Sequence, residues 1–249
     1  MIATIQYNSR KLQIDLSKPL DISIPLRAST SNVNAWYIGE PKIAPVVMDD
    51  DIISVAEGAS VNFNNIQFNP HAHGTHTECV GHITETVHSV NQNLKQYFFL
   101  AEVVTVAPEE RGEDTVISRA QLQFALGNKK RDAIVIRTLP NTKEKLSAQY
   151  SHSNWTYFEE DAMEFLVKKG IKHLLIDQPS VDREEDGGEL RGHKIFWNAD
   201  GRIRKGSTIT EFIYVPNNIT DGEYFLNLQI APFENDATPS KPILYQVIN

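Results

Sequence analysis

His71, His73, His76 and His82 fall within twelve residues of one another, four of the eight histidines in a chain of 249, and Glu78 stands between the last two. Clustered imidazoles pack poorly, because each ring needs partners for two nitrogens and a protonated neighbour repels it. A divalent cation removes both difficulties. On an extended strand His76, Glu78, Val80 and His82 project to one face and Thr77, Cys79 and Gly81 to the other. Gly74 marks a bend or bulge that would bring His71 or His73 to the same centre. Imidazole and carboxylate donors suit zinc, manganese or iron(II), and three protein ligands with an open position make a catalytic site. The competing reading is a solvated histidine-rich loop or an adventitious chelator.

The run from Gly74 to His82 resembles the HxGTHxDxPxH signature of the cyclase family of metal-dependent hydrolases, which includes bacterial kynurenine formamidases and isatin hydrolases. Glu78 replaces the Asp of that signature, Val80 replaces its Pro, and Ala72 occupies the place of its first histidine, flanked by His71 and His73. Further on, Asp177-Gln178-Pro179-Ser180-Val181-Asp182 is similar to the family's D-x-P-S-x-D run, while His193 and Glu211 resemble its late His and the Glu of its ENL-like segment, with Phe212 in place of Asn. The resemblance implies one or two divalent ions, zinc or manganese. His71 or His73, His76 and Glu78 would hold the first, and Glu78, His193 and Glu211 the second. It also implies His82 as general acid/base, with Glu211 beside it in the catalytic set. The expected reaction is hydrolysis of an amide, formamide or lactam bond in a small molecule, by a homo-oligomer (dimer or tetramer). A non-catalytic metal- or ligand-binding protein on the same scaffold is the alternative. Asp177 and Asp182 are ligands on chemistry alone or fix their loop by Asx-type bonds. Thr75 is placed to hydrogen-bond a ligand or the reaction intermediate. Cys79, the single cysteine, could ligate a metal but turns away from His76 on a strand, as a packed thiol would.

The elements that must carry these groups follow from periodicity. Thr4–Tyr7 and Lys11–Leu16 alternate around a polar turn, as a hairpin does. Residues 27–50 read as a long loop, with Trp36 and Tyr37 as a substrate wall or as a cap on the core. Residues 59–68 are strand-like and would deliver the motif from a sheet. Residues 98–106, a continuous β-rich run, and 133–138 read as buried strands, and residues 171–176 follow as another strand. Ser118-Arg119-Ala120-Gln121 has capping-box spacing and opens a helix ending by Gly127. Residues 159–169 carry apolar positions at helical spacing, acids first, lysines last and Gly170 beyond. Residues 183–192 are an acidic, Gly-rich exposed insertion. His193 is a site residue, His173 a strand boundary, His88 a polar-surface residue, and His152 a residue that would line the pocket or merely sit on the surface.

Strands alternating with single helices, between ends that look antiparallel, give an α/β class with a mixed parallel/antiparallel sheet in one domain spanning 1–249. The resemblance makes this a swivelling β/β/α architecture. The net charge of −8 and the lack of any Lys/Arg cluster argue against a nucleic-acid partner. No stretch is long and apolar enough for a membrane span, and the N-terminus lacks a leader pattern, so a cytoplasmic protein is expected.

Overall fold

The computed structural model describes residues 1–248. Its framework elements are β1 (Ile2–Tyr7), β2 (Arg10–Asp15), β3 (His76–Glu78), β4 (Phe98–Val106), α1 (Arg119–Leu126), β5 (Ala133–Thr138), α2 (Glu160–Lys169), β6 (His173–Ile176), α3 (Arg191–Trp197), β7 (Thr208–Glu211), β8 (Gly222–Ile230) and β9 (Ala237–Gln246). Seven strands close into a barrel-like ring in the order β8-β4-β5-β6-β7-β3-β9, with β9 returning to β8. The four strands β4 to β7 run parallel, and α1, α2 and α3 make the crossovers that parallel neighbours require. The other four pairings are antiparallel, so the α/β class with a mixed sheet is what the chain adopts.

The apolar runs are continuous because both faces of these strands are covered. In β5, Ala133 and Val135 pack inside the ring with Val103, Leu175 and Leu226. Their neighbours Ile134 and Ile136 face outward with Val104, Leu174 and Ile176, against Leu126 of α1, Leu166 of α2 and Trp197 of α3. Each such Leu or Ile contributes roughly 1.5–3 kcal/mol by leaving water. On the far side the β1–β2 hairpin lays Leu12 and Ile14 over Leu100 and Phe225.

Local signals set the helix ends. Ser118 and Gln121 form the reciprocal capping box at the start of α1, and Gly170 closes α2 at φ 82°, a left-handed conformation that suits glycine.

Three expectations fail, the first being that residues 27–50 are loop throughout, since Lys42–Pro45 and Val47–Met48 are strands. Residues 76–82 do not form one strand. The β3 ladder ends at Glu78, opposite Ile209 and Ala237, and the chain turns into a 3₁₀ helix at Val80–Ile83. Nor do residues 59–68 enter the main sheet. Only Asn64–Gln67 is strand, pairing with Lys42–Pro45 as a ribbon; Ile66 on it and Val61 and Phe63 just before it are more than half exposed. Alternating apolar residues mark a strand but cannot say whether anything covers it.

Candidate metal centre

Strand pairing brings the first groups together. His76 lies opposite Glu211 across the β3–β7 ladder, so their side chains share a face, and His76 Nε2 stands 3.3 Å from Glu211 Oε2. Glu78, two residues on, points the same way. Thr77 points to the other face, where its hydroxyl bonds that of Thr210 at 2.8 Å. The 3₁₀ turn then folds His82 back over Glu78, with its Nδ1 3.9 Å from Glu78 Oε2. His193 enters from the first turns of α3, its Nε2 3.0 Å from Glu78 Oε1. His71 enters from the loop before β3, its Nδ1 3.2 Å from Glu78 Oε2.

Each of three imidazoles has one nitrogen braced by an oxygen and the other turned to the acids. His76 Nδ1–H donates to Gly74 O at 3.0 Å, His193 Nδ1–H to Asp182 Oδ2, and His71 Nε2–H to Asp236 Oδ2 at 2.9 Å. Bracing of this kind fixes the tautomer of a ligating histidine. His76 Nε2 and Glu78 Oε2 are buried without a hydrogen-bond partner. Orphaned buried polar atoms are costly, and here both face the acid and imidazole groups of the same cluster. The donor set therefore fits a divalent cation: His71, His76 and Glu78 converge on one position, and Glu78, His82 and His193 on another.

The electrostatics agree. Burial pushes His71 down, but its bond to Asp236 and the Glu78 carboxylate standing beside it outweigh that and hold it up at about 10. His193 is likewise raised against burial by the Glu78 charge and by Asp182. Burial pushes Glu78 up, yet His82 and His193 hold it well below the carboxylate range. Glu211 stays raised by burial and by the Glu78 charge beside it. Buried carboxylates that draw protons onto neighbouring imidazoles are sites where a cation can take the protons' place.

Beside the cluster lies a cavity of about 260 Å³ walled by Trp36, Ile38 and Leu190, with His71, His82, His193 and Glu211 at its polar end. Trp36 (φ 64°) and Leu190 (φ 48°) hold left-handed backbone, as does Phe212 (φ 53°) next to Glu211. Such strain, about 1–3 kcal/mol per residue, collects at functional sites.

Six of the seven candidate residues named for metal or proton chemistry thus meet: His71, His76, Glu78, His82, His193 and Glu211. His73 does not. Its Nδ1 accepts from Asn69 N at 2.8 Å and its Nε2 bonds Gly39 O at 2.8 Å, so both nitrogens serve the loop. Thr75 also has another task, since its hydroxyl donates to Phe212 O and accepts from Ile24 N at 2.7 Å, tying three segments together. Cys79 is buried and donates to His88 O, away from the cluster. Asp177 binds Thr138 and Lys145, whereas Asp182 braces His193 and is itself placed by Trp155 Nε1 on its carbonyl at 2.9 Å. His152 packs at a tilt against Tyr37 outside the cavity. Asp236, which touches both His71 and His82, carries no local sequence signal of this role.

Residues 14–183 match the family model described as "Putative cyclase". The chain belongs to the cyclase family. It is 25% identical over 232 residues to a kynurenine formamidase from Bacillus cereus, covering 92% of this chain and 97% of that one. Solved cyclase-like structures align over nearly the whole chain. A predicted metal-dependent hydrolase from Bacillus stearothermophilus superposes with TM-score 0.64 at 19% identity, over 92% of this chain and 98% of its own. Isatin hydrolase A from Labrenzia aggregata superposes with TM-score 0.68 at 11% identity, over 93% and 94%. In this chain the first imidazole of the cluster comes from His71, one residue ahead of the signature position, where Ala72 is buried instead.

Proposed function

We propose that this member of the family is a metal-dependent hydrolase that cleaves an amide, formamide or lactam C–N bond of a small molecule. The observation that carries the reading is the pair of buried, unpartnered atoms, His76 Nε2 and Glu78 Oε2, facing imidazoles whose other nitrogens are already braced. His71, His76 and Glu78 would hold a first ion, and Glu78 and His193 a second, with Glu211, 3.9 Å from His193, as its third donor in keeping with the family resemblance and His82, the other group converging there, kept for proton transfer; zinc or manganese suits this nitrogen and oxygen set. When bound, such an ion polarises a carbonyl and lowers the pKa of water from 15.7 to about 7. The likeness to a formamidase supports the choice of a C–N bond.

The residues divide the remaining work. Trp36, Ile38 and Leu190 give the cavity apolar walls that pack on the body of a substrate and exclude water. Its polar end directs the scissile carbonyl to the histidine and glutamate cluster. His82 lines that end with Nδ1 engaged by Asp236 at 3.3 Å, which leaves Nε2 to pass a proton to the departing nitrogen. Glu211 accepts from Val181 N at 3.1 Å through one oxygen and keeps the other toward His76.

A single domain over residues 1–249, homo-oligomer formation and a cytoplasmic location belong to the same proposal. Exposed Val47 and Met48 in the small Val47–Met48/Asp51–Ile52 strand pair, with exposed Phe63 and Ile66 nearby in the chain, support association. No helix among the described residues is long and apolar enough to cross a membrane.

The test is elemental analysis of protein purified without chelator, followed by a screen of formanilides, lactams and esters with the ion found. A bound divalent ion and turnover of a C–N substrate are expected. Protein that takes up no divalent ion under any loading condition would sink the reading.

A further inference from the structure

One carboxylate oxygen stands between two imidazoles that the proposed reaction uses for different purposes. Asp236 Oδ2 lies 2.9 Å from His71 Nε2 and 3.3 Å from His82 Nδ1, and the two rings stack with centroids 4.3 Å apart. The acid is delivered by the sheet. Asp236 O accepts from Cys79 N at 3.0 Å, its neighbour Asn235 O accepts from Val90 N at 2.9 Å, and Ala237 pairs with Glu78 in the β3–β9 ladder. Gly81 admits the close approach, for a Cβ there would come 3.2 Å from Asp236 Cβ.

We propose that Asp236 is a positioning residue that locks His71 and His82 into one unit, turning His71 Nδ1 toward the cation and His82 Nε2 toward the substrate. A carboxylate accepting from one ring N–H fixes the tautomer and leaves the opposite nitrogen's lone pair where it is needed. Oδ2 does this for both rings at once. The arrangement also explains how a histidine displaced by one position can serve: His71 is steered by an acid from the far end of the chain. The half of the proposal that concerns His82 rests on the hydrolase reading, whereas the half that concerns His71 rests only on cation binding.

The test compares Asp236→Asn and Asp236→Ala with the unaltered protein, each also in a His82→Ala background. Ions per chain are counted by elemental analysis, zinc affinity is read by competition with a chromophoric chelator, and kcat and KM are measured on a hydrolysed amide. The ion count should hold while affinity falls about 10–100-fold. For Asp236→Ala, kcat should fall with KM nearly unchanged, and Asp236→Asn, which keeps one acceptor oxygen and the original shape, should recover part of both losses. With His82 already removed, losing Asp236 should cost no further kcat, because a residue that acts through another is non-additive with it. Unchanged zinc affinity overturns the proposal. So does an equal loss of kcat with and without His82. Loss of one ion per chain in both Asp236 variants also overturns it, since Asp236 would then be a ligand together with His71 and His82, which lie close enough for that. If no amide is turned over, the hydrolase reading fails on its own, and the affinity measurements still decide the part played at His71.

Discussion

His82 separates holding an ion from using it. It reaches Glu78 only at 3.9 Å and is braced by Asp236, while its ring borders the cavity. His82→Ala should therefore leave the ion content nearly intact and lower kcat by about 10²–10⁴-fold, the usual weight of a general acid or base. Activity that persists in loaded His82→Ala protein would remove the assignment. Another histidine governs acid stability. His173 is buried against Phe99 and bonds Thr208 Oγ1 at 2.9 Å, and burial holds its imidazole down at about 3. The folded protein keeps it neutral while the unfolded chain protonates near 6.5, so its contribution is complete above that pH. It is lost as pH falls toward 3, by about 1.4 kcal/mol per pH unit. Urea melts at pH 7, 6 and 5 should show this slope in the unaltered protein and a flatter one in His173→Gln; parallel slopes would exclude the effect. At this scale the alternation of His76 and Glu78 was legible, because a period of two needs only neighbouring residues. The choice between His71 and His73 was not, since it depends on loop torsions and on Gly39 and Asp236, which are distant in sequence.

Elements whose signals are local could be read from the chain: the capping box at Ser118, the acid-first and lysine-last helix closed by Gly170, and the buried runs that became β4, β5 and β6. Replacing Ser118 by Ala should cost about 1 kcal/mol, measured by chemical denaturation, because its hydroxyl caps Gln121 N and also binds Glu109 at 2.7 Å. Elements that end for tertiary reasons could not be read. The strand expected through residue 82 stops at Glu78 because β9 begins opposite it at Ala237 and β7 extends only one residue further, to Thr208, and because the turn beyond it packs against another segment. A Cβ on Gly81 would stand 2.1 Å from His88 O, a backbone atom. Gly81→Ala must push the 3₁₀ turn and residues 88–90 apart, at about 1–3 kcal/mol, and displace His82. Lower thermal stability and lower kcat are expected. Gly39→Ala, with nothing within 4 Å of its Cβ, is the control and should stay within about 0.5 kcal/mol. Equal behaviour of the two variants would mean that the turn is not held by this contact.

Over the whole molecule, β3, with three residues, is the shortest strand of the ring and the place where its two halves meet. On one side β7 continues the parallel strands, and on the other β9 leads through β8 back to β4. The mixed class was legible because helices between strands demand parallel neighbours, but the closure was not, since it depends on β9 pairing with both β3 and β8. A cation at β3 would bind groups from the preceding loop, β3, α3 and β7 together, and the unfolded chain does not hold those groups in one place. Binding should therefore stabilise the folded state by RT ln(1 + [L]/Kd), about 2.7 kcal/mol at a free concentration one hundred times Kd. For a chain of this size that corresponds to a rise of roughly 5–11 °C in Tm. Calorimetry of chelator-treated and reloaded protein should show one transition in each case, moving upward as a whole, because the ring leaves no part of the sheet to melt separately. Two resolved transitions, with only one responding to metal, would divide the chain into more than one cooperative unit and refute the single-domain reading. An unmoved Tm in protein shown by elemental analysis to be loaded would place the ion away from the buried groups of β3.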